Sequence, residues 1–184
     1  LWNPDRDPQA SLKELAFGIW GPTNGPEVLK ALELIQDVRS GPTWDTYWWG
    51  SPKYRIGTDQ PGEDLRRAEA ALAGLEAMKP DEVFVSKFPL PFPPQAFVEL
   101  MIPHLRQIKL HSEFRLQLAA IRKAAADGAE KEKLQAMLDE AFKPIPEFNT
   151  WVGTFGTPEL REQDRQARTL CNELKLTLTH PAWL

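Results

Sequence analysis

A chain of 184 residues, 42% hydrophobic and 26% charged, is long enough for one domain with a real core and lies far from the disordered regime. Its net charge of -4 and pI near 5.5 argue against nucleic acid and anionic membrane surfaces as partners, because phosphate binding needs a dense basic face. No apolar run approaches the roughly 20 residues that span a bilayer, and no signal-peptide pattern is present. The single cysteine, Cys171, excludes an internal disulfide and any multi-cysteine metal site. It leaves both a cytoplasmic and a periplasmic location open. The chain opens on Leu1-Trp2-Asn3-Pro4 with no initiator Met, and the expectation is a C-terminal piece of a longer protein, forming one helical domain over residues 1–184.

Asp7-Pro8 predicts the start of a first helix, with Asp as N-cap and Pro at the first helical position. Leu12, Leu15, Phe17 and Ile19 supply its apolar surface, and Gly21-Pro22 ends it. A second helix starts at Asn24-Gly25-Pro26, carries a broad stripe of Val28, Leu32, Ile35 and Val38, and stops at Gly41-Pro42. Residues 42–60 hold no sustained period and are expected to form an ordered loop. Trp44 to Tyr54 alone places five aromatics in eleven positions.

A third helix is predicted from Pro61 to Met78 through Leu65, Ala68, Leu72 and Leu75. Val83 to Val85 could form a short strand, but the prolines that follow rule out a long one. The fourth helix runs from Pro94 to Ala126, facing inward with Val98, Met101, Leu105, Ile108, Leu118 and Ile121 and ending at Asp127-Gly128. Pro103 inside it is expected to kink or split it. A fifth spans Glu130 to Phe142, and a second aromatic loop follows from Pro144 to Gly156. Thr157-Pro158-Glu159 opens the last helix, whose stripe of Leu160, Ala167, Leu170, Leu174 and Leu178 ends at His180-Pro181. The sum is an all-α fold, an irregular bundle of about six helices with long Pro- and Trp-rich loops.

Chemistry is sparse. No Gly-rich phosphate loop occurs. His104 and His111 lie two helical turns apart, about 10 Å, too far to share one ion. Hydrogen-bonded surface histidines are the simpler reading, with no metal and no cofactor. Cys171 sits beside Leu170 and Leu174 as a packing thiol would. Asp45, Asp59, Asp81, Glu82 and Glu147 lie outside helix interiors, yet no spacing selects a pair for sugar hydrolysis.

The aromatic loop is the strongest functional signal. Trp44, Tyr47, Trp48, Trp49, Tyr54 and Arg55 combine planar faces that stack on sugar rings with polar groups that bind hydroxyls. The same residues equally suit a seam with another domain, or packing over the helices.

The opening run of Trp2, Asn3, Pro4, Asp5, Asp7, Leu12, Glu14, Leu15, Trp20, Gly21 and Pro22 resembles the segment that follows the catalytic (β/α)8 barrel in bacterial glycoside hydrolases such as the α-glucuronidases. The resemblance covers about the first 40 residues. It implies helices that pack on the barrel of the same parent chain and sometimes on a second subunit. No catalytic residue carries over, because in such enzymes the catalytic carboxylates stand on barrel strands. The residues before proline at Asn3 and Asp7 independently favour an extended connector from a preceding domain. The function expected is therefore a non-catalytic helical accessory domain of a carbohydrate-active enzyme, docked on the barrel or lining the sugar cleft. The alternative is a free-standing protein-binding or oligomerisation module.

Overall fold

The computed structural model describes residues 7–39, 58–78, 94–144 and 158–178, with the backbone alone for residue 39 and residues 158–164. These residues are predominantly α-helical and include no strand. The helices are α1 (Pro8–Arg39), α2 (Pro61–Glu76), α3 (Pro94–Ala126), α4 (Lys131–Phe142) and α5 (Pro158–Leu174). Residues 83–85, where a short strand was one option, and most of both aromatic loops lie outside the described residues.

The described residues hold five helices where about six are expected, because the first two are joined. Gly21 nevertheless leaves helical geometry, with φ 73° and ψ −177°, at the position where the stop signal stands. Positive φ is cheap only for glycine, and Pro22 and Pro26 have no N–H to continue the hydrogen-bond ladder. The chain after this kink returns close to the chain before it. A Cβ on Gly25 would sit 3.0 Å from the Cα of Phe17 and 3.2 Å from the carbonyl oxygen of Ala16. A side chain at this position would require the facing backbone to give way by a few tenths of an ångström.

The start of α1 follows its local chemistry. Asp7 accepts from the N–H of Gln9 at 3.1 Å and from that of Ala10 at 3.3 Å, a cap worth about 1 kcal/mol. Pro8, Pro61, Pro94 and Pro158 each occupy the first position of a helix, where a missing N–H costs nothing. By contrast, α3 runs through Pro103 without dividing. Met101 and Leu105 on either side are both buried. Burial of two such side chains, at about 1.5–3 kcal/mol each, offsets the roughly 3 kcal/mol an internal proline costs.

Two helix ends share one device. Beyond α3, Gly128 adopts φ 82°, and Ala129 N–H donates to the carbonyl of Ala124 at 2.9 Å. Beyond α5, Lys175 adopts φ 53°, and Leu176 N–H donates to the carbonyl of Cys171 at 2.9 Å. Both bonds close the Schellman pattern. The second ends α5 at Leu174, short of the expected His180-Pro181. Lysine carries a Cβ penalty in this left-handed conformation that glycine avoids. Lys175→Gly is therefore expected to raise stability by about 0.5–1 kcal/mol, read as a higher urea midpoint at unchanged slope. No gain, or a loss, would contradict the conformation assigned to Lys175.

The chain divides into two compact units, Leu1–Asp37 with Arg66–Arg106, and Val38–Leu65 with Gln107–Leu184. In the first, the buried residues of α1 are centred on Ala16, Ile19 and Trp20, then on Val28, Ala31 and Leu34. Leu15, expected to face inward, is 44% exposed, and Leu32 and Ile35 are half-buried at the edges of the stripe. Trp20 packs against Phe97 with ring centroids 5.5 Å apart. Asp37 pairs with Arg67 at 2.7 Å and Glu76 with Arg106 at 3.4 Å, both on the surface.

The second unit is built around Phe114, Leu118, Ile121, Leu134, Leu138, Ala141, Phe142, Ala167, Leu170, Cys171 and Leu176. Phe114 and Phe142 meet edge to face, centroids 5.4 Å apart at 67°. Gln135 fastens the chain end after α5 from two sides: its amide nitrogen donates to the Thr177 carbonyl at 2.8 Å, and its oxygen accepts from Thr177 N–H at 2.9 Å. Among the described residues, no helix is long and apolar enough to cross a membrane.

Candidate functional site

Trp44, Tyr47, Trp48, Trp49, Tyr54 and Arg55 all lie outside the described residues. So do Asp45, Asp81, Glu82, Glu147 and His180. The described part of this region begins at Thr58, three residues after Arg55, and there the geometry is specific.

Asp64, in the first turn of α2, is 1% exposed. Its carboxylate accepts from Thr58 N–H at 2.7 Å and from the Thr58 hydroxyl at 2.9 Å. The same hydroxyl oxygen accepts from Gln60 N–H at 3.1 Å. From α3, 57 residues later in the chain, the Arg115 guanidinium donates to the Thr58 carbonyl at 2.7 Å. All three polar groups of Thr58 are thus held, by two charged side chains, where hydrogen bonds are strongest. Asp64 reaches back from inside α2, and the Gln60 carbonyl accepts the first helical bonds, from the N–H groups of Glu63 and Asp64 at 3.0 Å each. This cluster is a rigid anchor for the chain entering α2. It holds a carboxylate and a guanidinium around a threonine.

The polar side of α3 continues with Gln107 at 6% exposure, His111 at 1% and Ser112 at 0%. His111 is therefore a core residue, contrary to the expectation of a surface histidine, and His104 is half-buried. Glu113 faces Lys109 at 3.8 Å, one turn away, an ordinary half-buried helix pair. No group of three His, Cys, Asp or Glu side chains among the described residues is placed to hold a metal ion.

Cys171 is buried in the apolar cluster, as the packing reading anticipated. Burial pushes its thiol above the usual 9.0, with the nearby Arg168 charge acting weakly in the opposite direction. The folded chain accordingly keeps this proton at alkaline pH where the unfolded chain has released it. Its contribution to stability is complete below pH 9 and is lost as pH rises past 9. Cys171→Ala should flatten the alkaline fall in stability relative to the parent chain. The native thiol should also react slowly with a maleimide at pH 7 and rapidly once unfolded. Fast native labelling would contradict the burial.

A shallow groove of about 430 Å³ lies between α3 and α4, lined by Gln117, Ala120, Ile121, Lys133, Ala136, Met137 and Glu140. The side-chain amide oxygen of Gln117 in its wall is shielded from solvent and finds no donor among the described residues.

Compared with known protein families, curated proteins and solved structures, the chain matches none.

Proposed function

We propose that this chain is a non-catalytic helical accessory domain of a carbohydrate-active enzyme, docking on a catalytic barrel of the same parent chain or lining its sugar cleft. The observation that carries the reading is the opening segment. Its resemblance to the region after a glycoside hydrolase barrel calls for a helix followed by an aromatic-Gly-Pro turn. The chain has a helix from Pro8 and a break at Gly21, directly after the buried Trp20. In this reading Trp44, Tyr47, Trp48, Trp49, Tyr54 and Arg55 meet either sugar rings or the neighbouring domain. The Thr58 anchor supports it by providing a fixed point on the helical scaffold three residues away.

The test is direct. Incubated alone with a panel of plant-polysaccharide oligosaccharides, the chain should release no reducing sugar. Sustained turnover would sink the accessory role. Light scattering on the same samples separates the second reading, since an oligomer that forms equally well without sugar would point to a free-standing assembly module.

A further inference from the structure

We draw no further inference here: the strongest candidate, the shallow groove between α3 and α4 with Ile121 and Met137 in its lining and Lys133 and Glu140 beside them, is an open apolar helix face, and nothing in the structure shows what covers it.

Discussion

Asp64→Ala is expected to lower the unfolding free energy by about 2–4 kcal/mol, with the urea midpoint falling in proportion. The size follows from what the carboxylate holds. It is almost fully buried and accepts two hydrogen bonds from Thr58, at 2.7 and 2.9 Å. Bonds to a charged acceptor contribute about 1.5–3 kcal/mol each, and a shielded donor left unpaired costs about 1–3 kcal/mol. Alanine removes both acceptors at once and leaves the Thr58 N–H with nothing to replace them. Asp64→Asn keeps the shape and one acceptor oxygen, so a smaller loss is expected. Thr58→Val removes the hydroxyl alone. Because the two residues share one interaction, the double variant should fall short of the sum of the singles by more than about 0.5 kcal/mol. Additivity within error would show that Asp64 acts through other partners. A loss below about 0.5 kcal/mol for Asp64→Ala would remove the anchor from the account altogether.

Phe114→Ala carries the other large effect, about 3–5 kcal/mol. Phe114 is 3% exposed and makes an edge-to-face contact with Phe142 in the middle of the second unit's core. Truncation loses the transfer free energy of the ring, leaves a cavity, and forfeits an aromatic pair worth about 0.5–1.5 kcal/mol. Phe114→Leu refills much of that volume and should cost less. Two residues along the same helix, Leu116 is 37% exposed. Its replacement by alanine should change stability by no more than about 0.5 kcal/mol, as surface substitutions do. Equal losses at the two positions would mean that the face assigned to the interior of α3 is wrong. The contrast between them is more informative than either value, since it cancels common errors in extrapolation to water.

The helix boundaries that were legible in the sequence are those with a steric cause inside a few residues. Asp7-Pro8 caps and opens α1, and prolines open α2, α3 and α5, because ring geometry and a missing N–H act locally. Gly128 closes α3 for the same kind of reason. The boundary at Lys175 was hidden, because lysine does not advertise a left-handed conformation, and the bond that stabilises it comes from the turn before. Of the two outcomes expected at Pro103, a kink or a split, the split does not occur. The local cost of this proline is real, yet buried neighbours on α3 outweigh it. Of the candidate site, only the flank is described. The Thr58–Asp64–Arg115 cluster escaped sequence reasoning because its third member stands 57 residues away and carries no periodic signature.

The sequence by itself determined that this chain is predominantly helical, where most helices begin, and that Val98, Met101, Leu105, Ile108, Leu118 and Ile121 of α3 face inward, while Phe114 was added by the structure. Those properties rest on backbone sterics and on a 3.6-residue period, both visible in a short window. Only the tertiary structure decided that His111 and Asp64 are buried while Leu15 is exposed, and that Thr58 is anchored from two helices at once. Desolvating a polar group is favourable only when a partner arrives to satisfy it. Where that partner comes from a distant part of the chain, no local pattern announces it.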